Sequence, residues 1–243
     1  PIPNSFDKLV YASQILQAEG MRIGLEAHRR SQPYCMGTLY WQFNDCWPVA
    51  SWSSRDYYGN WKALNYAVQD VFAPLALSIY SLDDEGIYIT AMSELLHDVV
   101  DTLEISVYDW NGNLEYLHQQ KVIVESNTST ILKSDFSEFG DSNLVVASLK
   151  SNQILSKTWR SFSFKDVLLP EPTIECNWKG NELTLSTDLP AFQLYLHGAE
   201  GRFSDNYFSL LPNQQKTVQF CGNLQNKNKL LIWSIYNIYP NEE

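Results

Sequence analysis

The sequence predicts a mainly β protein in which two β-sandwiches follow one helix–strand–helix unit. Three observations support this. Short β-rich stretches separated by turn residues fill the chain after Pro74. Pro170 and Pro172 divide these stretches into two sets, because proline cannot join a central strand. Residues 4–74 instead show helical periodicity on either side of one short apolar run.

The chain has 243 residues, enough for two domains or one large one. Its 44% hydrophobic and 14% aromatic content is typical of an ordered globular protein. The net charge of −11 argues against nucleic acid or an anionic membrane as a partner. No apolar run approaches the ~20 residues of a membrane span. A neutral sugar is compatible with this charge.

The first 74 residues predict one α/β unit. A helix is expected over residues 4–30, and Pro33 ends it. The apolar run from Met36 to Trp41 is typical of a strand buried on both faces. A second helix is predicted from Trp61 to Phe72. The first helix has one apolar face, formed by Leu9, Ala12, Leu16, Ile23 and Ala27. One such unit is too small to fold alone, so we expect further chain upstream and exposed apolar faces here.

The first set of β-rich stretches predicts an antiparallel sandwich. Leu103, Ile105 and Val107 alternate with polar neighbours, as in a strand with one buried face. Asn111-Gly112 is a strong hairpin turn. The predicted strands are Leu75–Tyr80, Ile87–Met92, Leu103–Trp110, Glu115–Val124, Asn143–Leu149 and Ile154–Phe164.

The second set begins at Thr173 and predicts a smaller sandwich. Its predicted strands are Ile174–Trp178, Leu183–Thr187, Phe192–His197, Tyr207–Leu211, Thr217–Phe220 and Leu230–Ile238. Cys176 and Cys221 both lie in this set, and the sequence leaves open whether they pair.

The run Tyr40-Trp41-Gln42-Phe43-Asn44-Asp45-Cys46-Trp47-Pro48 combines aromatic residues with a polar Asn-Asp pair. Aromatic faces stack on the apolar C–H faces of sugar rings, and amide and carboxylate groups hydrogen-bond sugar hydroxyls. At the carboxyl end of a buried strand, such a cluster predicts the edge of a carbohydrate site.

With its continuation from Ser51 to Leu64, this run closely resembles the last barrel strand and helix of β-mannosidases of glycoside hydrolase family two. The segment from Asp205 to Pro212 resembles the C-terminal immunoglobulin-like domain of the same enzymes. The resemblance implies two immunoglobulin-like β-sandwiches preceded by the last α/β unit of a (β/α)8 barrel. The implied domains are residues 1–74 for the barrel segment, 75–169 for the first sandwich and 170–243 for the second.

The resemblance also implies site residues. Trp41 corresponds to the aromatic platform at the end of the last barrel strand, so it is expected to line the sugar pocket. Asn44 and Asp45 are expected either to contact sugar hydroxyls or to orient the loop through main-chain hydrogen bonds. Trp52 is a further candidate for substrate binding. No residue spacing points to a metal or cofactor.

Retaining enzymes of this family use two glutamates whose carboxyls lie ~5 Å apart. In the family both precede the strand that corresponds to Met36–Trp41, so neither is expected in this chain, and the chain alone is expected to be inactive. Two short look-alikes, Ser137-Glu138-Phe139-Gly140 and Gly180-Asn181-Glu182, lie downstream and in the reverse order. Glu138 and Glu182 are therefore predicted to be solvated turn carboxylates.

The implied parent is a retaining exo-β-mannosidase that removes terminal non-reducing β-D-mannose from oligosaccharides or glycoconjugates. An exo-β-glucosaminidase of the same family stays open, and the tryptophan-rich run fits β-galactosidases and β-glucuronidases less well. A non-catalytic glycan-binding or scaffold module is the alternative from another class. The expected partners are such a glycan, the upstream part of the catalytic domain, and a second copy in a homodimer. The chain opens on Pro1 rather than Met, which favours a truncated or processed protein; its compartment is left open.

Overall fold

The computed structural model describes residues 3–82, 86–136, 143–160 and 163–238. It confirms a mainly β fold built on several antiparallel sheets. The chain divides into two compact units. The first unit contains Pro1–Met21, Tyr40–Ala67 and Val167–Glu243, and the second contains Arg22–Leu39 and Val68–Asp166. Among the described residues, no helix is long and apolar enough to cross a membrane.

Both predicted helices are present, as α1 (Phe6–Arg30) and α2 (Ala63–Val71). An acidic residue in the first turn of α1 and three basic residues in its last turn complement the helix dipole. The buried apolar positions of α1 are Tyr11, Ile15, Ala18 and Leu25. The apolar face expected from the sequence is different and largely exposed, since Leu9, Leu16 and Ile23 are 49%, 76% and 59% exposed.

The prediction of a buried strand over Met36–Trp41 is wrong for this structure. These residues form no strand, and Leu39 is 99% exposed. A strand buried on both faces requires a hydrogen-bonded neighbour on each side. No neighbouring strand in the described part of the chain pairs with this run, so its apolar character alone does not produce a strand.

Seven strands of the second unit form the first sandwich. One sheet has the order β1-β2-β5 and the other has the order β4-β3-β6-β7. Leu103, Ile105 and Val107 point inward as predicted, and all three are fully buried. The strands are β1 (Leu75–Ser81), β2 (Ile87–Ser93), β3 (Val99–Tyr108), β4 (Leu114–Val124), β5 (Ser129–Phe136), β6 (Leu144–Leu149) and β7 (Asn152–Arg160).

Two features of this sandwich differ from the sequence-based expectation. Strand β5 was not predicted, and its pairing with β2 contains two register shifts. The last predicted strand ends at Arg160, and Phe164–Asp166 forms a short 3-10 helix instead.

The second sandwich lies in the first unit. Its sheets have the orders β11-β13-β9-β8 and β12-β10-β14, with a core between them that includes Leu185, Leu194 and Phe220. The predicted strand over Leu230–Ile238 is shorter, because a 3-10 helix occupies Ile235–Ile238. The strands are β8 (Ile174–Lys179), β9 (Glu182–Thr187), β10 (Ala191–His197), β11 (Gly201–Phe203), β12 (Phe208–Leu210), β13 (Gln215–Gly222) and β14 (Leu231–Trp233). Strand β11 was not predicted.

The segment from Asp205 to Pro212, which resembles the C-terminal domain of the family, contains a side chain that hydrogen-bonds to a strand of the second sandwich. Asn206 is buried, and its side chain pairs with both main-chain groups of Leu196, accepting from the nitrogen at 2.8 Å and donating to the oxygen at 2.9 Å. The amide thus replaces a missing strand neighbour. Tyr207 follows with a φ of 57°.

The early part of α1 packs within the first unit against α2 and the second sandwich. Tyr11 donates its hydroxyl hydrogen to the main-chain oxygen of Gln193 at 2.5 Å. Gln14 accepts hydrogen bonds from the Ala63 nitrogen at 3.0 Å and the Tyr207 hydroxyl at 3.1 Å. These bonds fix the start of α2, and with it the end of the loop that carries the candidate site.

Candidate functional site

The first unit exposes a group of aromatic side chains between residues 41 and 58, here called the aromatic segment. Trp41, at 77% exposed, is the first of them and precedes a cis peptide bond to Gln42. Soluble proteins rarely expose contiguous apolar surface without an interaction to explain it. The exposed members are Trp41, Phe43, Trp47, Trp52, Tyr57 and Tyr58.

Main-chain hydrogen bonds hold the two ends of the aromatic segment together. The nitrogens of Ser54 and Arg55 donate to the oxygens of Gln42 and Phe43 at 3.0 and 2.9 Å. The Asp45 nitrogen donates to the Arg55 oxygen at 3.1 Å. The segment is therefore a closed loop, with a short parallel pairing at its base.

Asp45 lies at the centre of this loop. Its carboxylate is 2% exposed and accepts hydrogen bonds from the hydroxyls of Ser51 at 2.5 Å and Ser53 at 2.7 Å. The Lys62 ammonium lies 3.4 Å from the same carboxylate and donates to the Ser53 hydroxyl oxygen at 2.8 Å. A buried carboxylate is stable only with such partners.

These hydrogen bonds keep Asp45 ionised. The bonds from Ser51 and then Ser53 hold the pKa of Asp45 below its ordinary value, and the positive charge of Lys62 adds to this effect against the opposing effect of burial. The carboxylate is therefore charged at neutral pH, and its charge is directed into the loop.

The four predicted site residues differ in their exposure to solvent. Trp41, Asn44 and Trp52 are exposed, while Asp45 is buried. The Asn44 side-chain amide donates a hydrogen bond to the main-chain oxygen of Asp45 at 3.2 Å. The Trp52 oxygen accepts a hydrogen bond from Gln17 at 2.7 Å. That these residues contact sugar stays a prediction; the geometry favours contact for the exposed three and an orienting role for Asp45.

Sequence reasoning missed Ser51, Ser53 and Lys62 as partners of Asp45. The serines lie six and eight residues beyond Asp45 and the lysine seventeen beyond it, in a loop with no regular period. The only signal in the sequence is the concentration of hydroxyl residues between Trp47 and Trp61, which indicates a turn-rich loop but no particular partner.

Of the two glutamates in look-alike motifs, the structure describes Glu182, and no second carboxylate in the described part of the chain is its partner. Glu182 begins β9 and accepts a hydrogen bond from Gln219 at 2.8 Å. Glu138 lies outside the described residues. Within the described residues, no group of three or more His, Cys, Asp or Glu side chains is placed to hold a metal ion. The four cysteines are free thiols, including Cys176 and Cys221.

A cavity of about 170 Å³ lies in the second unit near the end of α1. Its acidic lining residue is Glu94, whose carboxylate is 3.4 Å from the Arg29 guanidinium. A retaining glycosidase needs two carboxyls ~5 Å apart. This lining therefore lacks the groups for glycoside hydrolysis. The remaining lining residues are His28, Gln32, Cys35, Met36, Gly37, Thr38 and Phe72.

Comparison with known proteins identifies both sandwiches. Residues 85–166 match the family model described as a mannosidase Ig/CBM-like domain, and residues 169–238 match the mannosidase Ig-fold domain. The β-mannosidase of Rattus norvegicus is 28% identical to this chain over 93% of its length. The chain is therefore similar to β-mannosidases over most of its length. β-Mannosidase A of Neosartorya fischeri is 26% identical over 91% of the chain.

The chain covers less than a third of these β-mannosidases, with 29% of the rat protein and 28% of the fungal one. The solved β-D-mannosidase of Dictyoglomus thermophilum has the same fold, with a TM-score of 0.87 over 97% of this chain and 30% of that chain. An exo-chitosanase of Amycolatopsis orientalis also superimposes, with a TM-score of 0.68 over 97% of this chain and 33% of that one. At 22% and 15% identity these likenesses show the fold alone.

Proposed function

We propose that this chain is the C-terminal part of a retaining exo-β-mannosidase that hydrolyses terminal non-reducing β-D-mannose. The observation that carries the proposal is the exposed aromatic segment beginning at Trp41, in the part of the sequence that resembles the last barrel strand and helix of the family. The chain's similarity to β-mannosidases over more than 90% of its length supports it.

We assign one role to each of three proposed domains. Residues 1–74 complete a (β/α)8 barrel, and residues 75–169 and 170–243 form immunoglobulin-like supports. The exposed apolar side chains of α1, such as Leu16, and the exposed Leu39 favour this reading, because a barrel would cover them with its other elements. The two catalytic glutamates belong to the rest of the barrel, and the 243-residue chain alone is inactive.

The chemistry available to the aromatic segment is binding and orientation. A Trp41 indole that stacks on a mannose ring excludes water from one face of the sugar and holds the glycosidic bond in place. Proton transfer and nucleophilic attack require carboxyls at the reacting atoms, which in retaining glycosidases form a covalent glycosyl-enzyme and then release it.

The first experiment compares hydrolysis of an aryl β-D-mannoside by this chain and by a longer protein that carries the preceding sequence. Turnover by the longer protein alone is expected. Turnover by the 243-residue chain that disappears in Glu182→Gln or Glu138→Gln would refute the proposal. Turnover of an aryl β-D-glucosaminide in preference to the mannoside would identify an exo-β-glucosaminidase instead.

The role of Trp41 has its own test in the longer protein. Trp41→Ala should lower kcat/KM about 10- to 100-fold, since the loss of one large apolar contact costs about 1.5–3 kcal/mol and each 1.4 kcal/mol is tenfold. Leu96→Ala removes another exposed apolar side chain, 90% exposed in the first sandwich, and should leave kcat/KM unchanged. Equal effects of the two substitutions would contradict the assignment.

Glycan titration of the 243-residue chain, followed by tryptophan fluorescence, separates the proposal from a binding module. In a module built on the sandwiches, binding would persist when Trp41 and Trp52 are both replaced by Ala. In the proposed enzyme, these two residues supply the stacking surface, so the double substitution abolishes any binding that the chain retains.

A further inference from the structure

The main chain around Trp52 is held from both sides. Ser51 and Ser53, its two sequence neighbours, donate to different oxygens of the Asp45 carboxylate, at 2.5 and 2.7 Å. Gln17 donates to the Trp52 oxygen at 2.7 Å. Both serine side chains thus point to the buried carboxylate, whereas the Trp52 side chain between them in sequence is 57% exposed.

Lys62 completes this arrangement. Its ammonium donates to the Ser51 main-chain oxygen at 3.3 Å and to the Ser53 hydroxyl oxygen at 2.8 Å, and it lies 3.4 Å from Asp45. One buried ion pair thus binds both ends of the Ser51–Ser53 stretch. The Lys62 side chain is 16% exposed, so solvent competes little for these bonds.

The buried charges hold a stretch whose aromatic side chain is exposed. Trp52 is 57% exposed, whereas the Asp45 carboxylate is 2% exposed. Asp45 is itself too buried to reach a sugar hydroxyl. A fixed main chain lowers the entropy cost of binding, because the aromatic side chains are held in place before the ligand arrives.

We propose that Asp45 is a positioning residue for sugar binding, which acts through Ser51, Ser53 and Lys62 to fix Trp52 as a second stacking surface beside Trp41. The proposal rests on the proposed function for the identity of the ligand, a terminal β-mannosyl unit. In this proposal the Asp45 carboxylate orders the loop, and the Trp52 indole contacts the sugar.

The activity test uses the longer protein with an aryl β-D-mannoside. Asp45→Asn should lower kcat/KM about 10- to 100-fold, because a misplacement of about 1 Å in a binding group has effects of this size. Trp52→Ala should have a similar effect, and the double variant should fall little further, since the two residues act as one unit. An additive double variant would overturn the proposal.

The matched control is Asp109→Asn. Asp109 also accepts hydrogen bonds from neighbouring groups, including Asn111 and Asn113, but it does so in the hairpin between β3 and β4. This variant should keep the wild-type kcat/KM. If Asp45→Asn fails to fold, Ser51→Ala and Ser51→Thr replace it: the Thr variant keeps the hydroxyl and should retain activity, while the Ala variant should lose it. Equal activity of these two variants would count against the proposal.

A second readout needs no catalysis. 5-Fluorotryptophan at position 52 of the 243-residue chain should give one sharp ¹⁹F signal, which broadens or splits in Asp45→Asn. In the wild type the same change should occur only as the pH falls below ~3.9, the ordinary pKa of Asp, because Asp45 then loses its charge. If the longer protein is inactive, the proposed function fails, but the ¹⁹F signal still tests whether Asp45 positions Trp52. If it is active and Asp45→Asn changes neither signal nor kcat/KM, the positioning alone is refuted.

Discussion

Replacing Glu26 by Gln should destabilise the second unit by about 3 kcal/mol. The Glu26 carboxylate is 3% exposed and lies 2.6 Å from Lys157 and 3.0 Å from Arg22. Arg30 lies 3.9 Å from the same carboxylate, and the Ser78 hydroxyl donates to it at 2.7 Å. This carboxylate joins the end of α1 to β1 and β7.

The expected magnitude follows from the burial of each partner. Removing one member of a buried ion pair costs about 3–5 kcal/mol, because the opposite charge is left without compensation. Arg22, Arg30 and Lys157 are each about one-fifth exposed, at 20%, 18% and 18%. Their charges can recover part of their hydration when Glu26 is lost. The lower end of the range, about 3 kcal/mol, is therefore expected.

Urea unfolding of the 243-residue chain measures this free energy. With a slope of about 2–3 kcal/mol/M, a loss of 3 kcal/mol lowers the midpoint of the affected transition by about 1 M. Because the chain forms two compact units, the transition must be assigned to the second unit, for example by hydrogen exchange of β1 and β2. Glu104→Gln is the matched control: Glu104 and its partner Lys150, 3.1 Å away in the same unit, are 27% and 47% exposed, so a loss of at most about 1 kcal/mol is expected.

The pH dependence gives this prediction a second test. Burial acts to raise the pKa of Glu26, but the charges of Lys157 and Arg22 and hydrogen bonds from Lys157 and Ser78 outweigh it, so the pKa is lowered overall. A lowered folded-state pKa contributes stability above the unfolded value of ~4.3, and this stability is lost as the pH falls through the folded pKa.

The wild type and Glu26→Gln should therefore differ at pH 7 and converge in acid, where Glu26 is protonated. A Glu26→Gln variant as stable as the Glu104→Gln control at pH 7 would contradict this prediction. The same conclusion would follow from a stability difference between wild type and Glu26→Gln that is equal at pH 7 and at pH values below the lowered folded-state pKa of Glu26.

Two further predictions concern the second sandwich. Gly222→Ala should destabilise it by about 1–3 kcal/mol in urea unfolding, because an added Cβ would lie 2.6 Å from the Cα of Gly201 on the facing strand. Gly37→Ala is the control and should be nearly neutral, because a Cβ added there would have no atom within 4 Å. Burial lowers the pKa of His197, against an opposing effect of Asp7, so the unfolded state binds more protons and stability should fall as the pH drops below ~6.5. His197→Phe should flatten this dependence of the thermal midpoint between pH 7 and 5, and an unchanged slope would exclude His197 as its source.

Local sequence patterns were sufficient where a strand has one buried and one exposed face. The alternation of Leu103, Ile105 and Val107 predicted β3, and all three face the core. Asn111-Gly112 predicted the turn that follows, and the Gly112 φ of 87° accounts for the glycine. These signals are local because side-chain direction along a strand has a period of two residues.

The same patterns failed where the environment of a segment depends on distant chain. Leu39 belongs to an apolar run that predicted a buried strand, but the residue is almost fully exposed. Leu16 was assigned to the apolar face of α1, while the buried positions are others, such as Ile15. An apolar side chain indicates a surface that must be covered, and only the tertiary structure decides which surface is covered within these residues.

Composition, periodicity and turn residues were enough to predict the mainly β fold, the two helices, the two sandwiches and the aromatic segment with Trp41 at its start. Two features could be found only in three dimensions: Asp45 is buried against Lys62, and Glu26 contacts Lys157, 131 residues later in the chain. Periodicity and turn residues report on neighbours within one element. The partners of a buried charge are brought together by the packing of several elements, and no local pattern in the sequence encodes that packing.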